Sequence, residues 1–256
     1  MNIYDRARAR EYEKVYGRAD ALRQSELLHL REAMTALFRG KTVLEVACGT
    51  GYWTQFLATV VSHVVAVDAC RKVLQVAKEK SLDSDKVTFW HGDGYRLDAV
   101  PGHFNGGVAN FWFSHVPKAR VPEFLTHFHA RLNHGAAVFM ADNVYTEGVG
   151  GELVTKKGDT NTYKVRTWEN GRSYEVLKNY YGKDALRSIF DPYCYDSPDF
   201  RWPILLVAIL PAAMKSIVAK AERTWVKGSD HFTPVSKRLS LRCFFSRRQV
   251  LDYEGP

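Results

Sequence analysis

The chain is poor in cysteine, in membrane-length apolar runs and in metal-like clusters, and each shortage excludes a class. Four cysteines stand in 256 residues, Cys48, Cys70, Cys194 and Cys243. Their scatter fits neither a zinc site nor a disulfide scaffold, so no metal is expected. Thiols read as reduced and semi-buried suit a cytoplasmic protein. The longest apolar run, Trp202 to Met214, is thirteen residues with two prolines, too short for a span of about twenty. The opening twenty residues, MNIYDRARAREYEKVYGRAD, are charged throughout and lack the apolar stretch of a leader. An excess of acid is also missing: the net charge is +8. From residue 203 onward nine Lys or Arg stand against four Asp or Glu. Most of the excess therefore lies in the tail, which reads as a solvated surface, not a nucleic-acid face.

What is present is concentrated between residues 43 and 145. Val43-Leu44-Glu45-Val46 is an apolar strand that runs into Ala47-Cys48-Gly49-Thr50-Gly51, after which Tyr52 restarts a helical pattern. Glycines at such a turn let the backbone approach a ligand at a helix start, where free N–H groups favour polar or anionic groups. A second apolar strand, HVVAVD, ends in Asp68, followed by Ala69. An acid there is placed for the two hydroxyls of a ribose. A dinucleotide fingerprint would need a third glycine at position 54, which is Thr54.

The loop, read as E-x-A-x-G-x-G from Glu45 to Gly51, resembles the first motif of class I S-adenosylmethionine-dependent methyltransferases, with Ala47 where the family usually has glycine. The resemblance spans about residues 20 to 145 and is similar to a bacterial small-molecule type. It implies an α/β fold with a doubly wound, Rossmann-like sheet of the seven-stranded type. It also implies S-adenosyl-L-methionine as the cofactor. Glu45 would face the cofactor ammonium, Asp68 the ribose, and Asp93 with Gly94 the adenine amino group. Phe111 would line the cofactor pocket.

The implied activity is in-line methyl transfer to an oxygen or nitrogen of a small-molecule acceptor, in a cytoplasmic enzyme. A degenerate S-adenosylmethionine-binding protein and an RNA methyltransferase remain as alternatives. His115, following the fourth strand in NFWFSHVP, is the candidate general base because it sits at the carboxyl edge of the sheet. Tyr12, Trp112, Asn143 and Tyr163 are candidate substrate contacts.

The chain divides into an N-terminal helical lid (1–40) and a cofactor-binding core (41–145). An inserted β-hairpin cap (146–180), the end of the core (181–202) and an atypical basic tail (203–256) follow. Tyr4, Tyr12 and Tyr16 would line the lid, and Asp20 would cap its second helix. A helix of about Lys183 to Phe190 would follow the hairpin, and Ile189 to Tyr195 would supply a late strand. Pro203 and Pro211 break the next apolar run, so the last strand reads as missing and the tail as foreign to the fold.

Overall fold

In the computed structural model the described residues are 10–11, 13–17, 20–167 and 171–193, with the backbone alone of 196–197, 200–201 and 204–209. A 3-10 turn, Lys14–Gly17, precedes helix α1, Ala21–Phe38. The side chain of Asp20 accepts the Arg23 N–H at 3.1 Å, the cap expected there. Leu27, Leu30, Met34 and Phe38 recur at helical spacing and are buried.

The core alternates strand and helix: β1 (Thr42–Val46), α2 (Thr54–Ala58), β2 (His63–Asp68), α3 (Arg71–Lys78), β3 (Val87–His91) and β4 (Phe104–Asn110). Helix α4 (Val121–His129) and β5 (Leu132–Asn143) follow. While the edge strand β3 is half-buried, strands β1, β2, β4 and the second half of β5 are apolar and buried, the pattern of a parallel sheet covered on both faces. Strand β4 shows why. A Cβ on Gly106 would lie 2.5 Å from the Phe38 ring, and one on Gly107 would lie 2.5 Å from the Phe128 ring. Neighbouring strand residues face opposite ways, so α1 and α4 press on the two sides of β4, and only glycine leaves room for both.

An antiparallel sheet follows: β6 (Glu152–Thr155), β7 (Thr162–Thr167) and β8 (Ser173–Leu177), in the order β6-β7-β8. The expected hairpin is β7–β8; β6 adds a third strand. Residues 168–170, which hold most of the expected turn, lie outside the described residues. Helix α5 (Lys183–Phe190) forms where a helix was expected, and its last two residues with a 3-10 turn (Asp191–Tyr193) take the place of the late strand expected at Ile189 to Tyr195. Leu186 and Phe190 are buried one helical turn apart and join the core cluster with Phe113 and Phe124, so helical period wins over a short apolar run.

Short strands β9 (Asp196–Ser197) and β10 (Phe200–Arg201) pair with each other. Strand β11 (Ile204–Ile209) pairs parallel with β5, from Ile204 opposite Val138 to Ile209 opposite Asn143. The main sheet is therefore six-stranded among the described residues, in the order β11-β5-β4-β1-β2-β3, and parallel throughout. This corrects the expectation that the fold ends at residue 202. Pro203 and Pro211 stand outside the strand and do not interrupt it. The basic remainder from 210 lies outside the described residues, as do Tyr4 and Tyr12. The strand order reverses between β1 and β4, where open α/β sheets bind ligands at the carboxyl ends.

Candidate functional site

At that reversal lies a cavity of about 650 Å³. Its floor is the β1–α2 loop, where Ala47, Cys48, Gly49 and Thr50 line it. Gly49 and Gly51 have φ of +60° and +75°, and Ala47 has φ of +55°. The left-handed region costs a non-glycine residue about 1 to 2 kcal/mol, so Ala47 holds strain that the usual glycine avoids. Gly51 does not line the cavity. A Cβ there would meet Ala77 of α3 at 3.2 Å; its role is to let the loop pack beneath.

Asp68 ends β2 and faces the cavity. Its Oδ2 accepts the Gly49 N–H at 3.0 Å and its Oδ1 accepts the Cys70 N–H at 2.8 Å. Burial raises its pKa, and the two backbone donors oppose that rise. The carboxylate is thus aimed by backbone and keeps lone pairs for further donors. Ala69, Asp93 and Gly94 line the same wall. Asp93 Oδ1 accepts the Tyr95 N–H at 3.0 Å, a turn that fixes its direction.

Aromatic rings close the other side. Phe111 follows β4 with φ of +55° and lines the cavity with Trp112. Trp53 packs on Phe111 at 5.8 Å, and Tyr16, from the segment before α1, stacks on Tyr52 at 3.8 Å. Arg23 of α1 lies 5.2 Å over the Phe111 ring and donates to Asn143 Oδ1 at 3.2 Å. Two buried polar atoms of cavity-lining residues have no partner in the structure, Trp53 Nε1 and Asn110 Oδ1. Buried groups of this kind are normally bonded, so a ligand with both a donor and an acceptor suits them.

Glu45 departs from its expected place. It is 2% exposed, does not line the cavity, and accepts the Thr54 hydroxyl at 2.7 Å beneath the loop. Burial pushes its pKa up to about 8, so at neutral pH it is mostly protonated and ill suited to an ammonium group. Asn143 is held by Arg23, and Tyr163 donates to Asp159 at 2.6 Å; neither lines the cavity. Tyr12 lies outside the described residues. Of the four substrate candidates, Trp112 alone is placed on the cavity.

His115 lines the cavity at the end of the turn Phe113–His115. Its Nδ1 donates to the Leu177 carbonyl at 2.7 Å. Burial lowers its pKa to about 3, with the Lys178 ammonium adding to the effect. The cap reaches the cavity through Glu175, Val176 and Leu177 of β8, residues the sequence reading did not single out. Alternation marks β8 as a strand, yet nothing local says which strand edge meets the core.

The chain can now be set beside known proteins. Residues 43–135 match a family model described as a methyltransferase domain. The demethylmenaquinone methyltransferase of Staphylococcus saprophyticus is 33% identical over 81 residues, covering 30% of this chain and 35% of that protein. The chain thus spans about a third of the length of the curated relatives it matches. The DhpI-SAH complex is 28% identical, with TM-score 0.55, over 73% of this chain and 82% of that one. The DhpI-SAM-HEP complex is 26% identical, with TM-score 0.58, over 73% and 84%. A Clostridium acetobutylicum S-adenosylmethionine-dependent methyltransferase shares the fold, at 15% identity and TM-score 0.51 over 71% and 85%.

Proposed function

We propose that this chain, built on a class I methyltransferase domain, transfers a methyl group from S-adenosylmethionine to an oxygen of a small molecule. One observation carries the reading: a polar-floored cavity at the sheet's reversal point, with a backbone-aimed carboxylate, Asp68, facing a loop of positive-φ residues. The residues fit the cofactor. Asp68 would take the ribose hydroxyls, and Asp93 with Gly94 the base. The unpartnered Asn110 Oδ1 and Trp53 Nε1 suit an ammonium and a carboxylate in turn. They replace Glu45 in that role.

When bound, S-adenosylmethionine supplies a sulfonium-activated methyl, whose carbon takes an acceptor lone pair while sulfur keeps the C–S electrons. The chain's own work is to orient, exclude water and move a proton. Tyr16, Trp53 and Phe111 exclude water. His115, with Nδ1 committed to Leu177 as donor, has its Nε2 lone pair to accept the acceptor's proton. A base this weak cannot take a proton from an alkylammonium, whose pKa is about 10. It can take one from an oxygen that becomes cationic as it is methylated. The oxygen acceptor is favoured on that ground.

The test is calorimetric titration with S-adenosylhomocysteine, beside an Asp68→Ala variant. Micromolar binding that weakens by about 100-fold in the variant is expected, the size of a lost charged hydrogen bond. A folded wild-type chain that does not bind overturns the reading.

A further inference from the structure

Among the described residues the cap meets the core at Lys118, which donates to Asn161 and Thr160, and at a second knot of polar contacts in which the candidate base sits. Ser114 and His115 come from the turn after β4, while Leu177, Lys178 and Asn179 continue from β8. The Asn179 N–H donates to the Ser114 carbonyl at 2.7 Å, and Asn179 Nδ2 donates to the Val116 carbonyl at 2.9 Å. His115 Nδ1 joins the Leu177 carbonyl between them. The Lys178 side chain, 2% exposed, passes inward. Its Nζ donates to Ser114 Oγ at 2.5 Å and to Asp142 Oδ1 at 2.9 Å. Asp142 Oδ2 in turn accepts the Ser114 N–H at 2.8 Å.

A buried ion pair is seldom the most stable filling of its space, since apolar residues of like volume often do as well. Its contribution here is geometric. A carbonyl oxygen only accepts, so Nδ1 of His115 carries the proton, and the neutral ring keeps its lone pair at Nε2. Leu177 pairs with Tyr163 of β7, and Lys178 and Asn179 bond to Thr162, so β7 holds this segment from one side while the Lys178 side chain ties it to the core from the other. The charged groups acting on His115 are Lys178, Asp142 at the end of β5 and Arg166 of β7, and Glu175 of β8 lines the same cavity.

We propose that Lys178 is the positioning residue of the candidate base: it bolts the end of β8 to Asp142 and so holds His115 as the Nδ1–H tautomer, leaving Nε2 for the acceptor's proton. The purpose rests on the methyltransferase reading, but the effect is measured without cofactor, so the two fail separately. The experiment is long-range ¹H–¹⁵N NMR of the imidazoles of the full chain across pH, with His115 assigned from a His115→Gln variant. Wild type is expected to stay in the Nδ1–H tautomer down to pH 5. Lys178→Met should raise the His115 midpoint by about 1 pH unit or more, as loss of a neighbouring cation does. Should that variant fail to fold, Lys178→Met with Asp142→Asn removes both charges. A mixed tautomer in the double variant supports the proposal. A folded single or double variant that keeps the wild-type tautomer overturns it, whatever its midpoint.

Discussion

At the β1–α2 loop the cavity wall is backbone: two N–H groups aim Asp68, and left-handed φ values at Ala47 and Gly49 shape the turn. Across from it, at the cap, the wall is held by side chains: Lys178, Asp142, Ser114, His115 and Asn179. The first wall joins residues no more than about 20 apart, for which Gly49 and Asp68 are the type. The second joins residues from 28 apart, Ser114 with Asp142, to 64 apart, Ser114 with Lys178. A backbone-built wall suits a ligand common to many relatives, since it hardly depends on side chains. A side-chain-built wall can change with its acceptor while the sheet stays the same.

The contrast is broken most severely at the cap. Lys178→Met leaves the largely buried Asp142 without its cation, though still bonded by the Ser114 and Asn143 N–H groups, and should lower unfolding free energy by about 3 kcal/mol. Urea denaturation would measure it. The double variant with Asp142→Asn should recover most of the loss, because the uncompensated charge, not the missing contact, is the main cost. A cap variant that costs nothing would mean the side-chain wall is not holding the cap at all.

Beneath the loop the same comparison is sharpened by pH. The Glu45 pKa is raised by burial from 4.5 to about 8. Between those values the folded state keeps a proton that the unfolded chain has released. The contribution of Glu45 is therefore full below pH 4.5 and is lost as pH rises to about 8. Over that window wild type should lose several kcal/mol more than Glu45→Gln does. Thermal unfolding from pH 5 to pH 9 would show two curves that diverge upward in pH, with the variant the flatter. Parallel curves would place Glu45 in contact with solvent or a cation.

Asp68→Ala comes next in size, at about 2 to 3 kcal/mol of S-adenosylhomocysteine affinity. Its counterpart across the cavity, His115→Gln, should leave that affinity within about 0.5 kcal/mol, because the cap wall is assigned to the acceptor. Equal losses in the two variants would erase the division between the walls.

How much of this could be read in the sequence follows the same division. The glycine loop, the place of Asp68 at a strand end and the alternation of strands and helices were legible, because apolar period and turn chemistry act over a few residues, while the order within the sheet came from the family resemblance. Asp20 as a cap and α5 at Lys183–Phe190 were legible for that reason too. Glu45 was misplaced: its position in the motif was right, but its partner Thr54 and its burial are facts of packing. Lys178 follows β8 and gave no hint that its ammonium would find Asp142, 36 residues earlier. Strand β11 was hidden by flanking prolines read as interruptions, since a pairing partner 66 residues away, Val138 for Ile204, leaves no local trace.

The smallest expected effect on stability lies in the backbone wall itself. Ala47 sits at φ of +55° where the resembling motif carries glycine. Its methyl costs about 1 to 2 kcal/mol in that region, while glycine would lose more chain entropy on folding, by roughly 0.5 to 1 kcal/mol. The two nearly offset, so Ala47→Gly should change stability by less than about 1 kcal/mol, in the stabilising direction. Cofactor affinity is the sharper readout, because Ala47 lines the cavity beside Gly49. If the strained turn is what holds the loop open, the glycine variant gains stability and loses affinity, as the loop samples more conformers. If Gly49 and the bond to Asp68 fix the loop alone, stability rises and affinity stays. The second outcome would make the wall purely backbone, and the contrast with the cap complete.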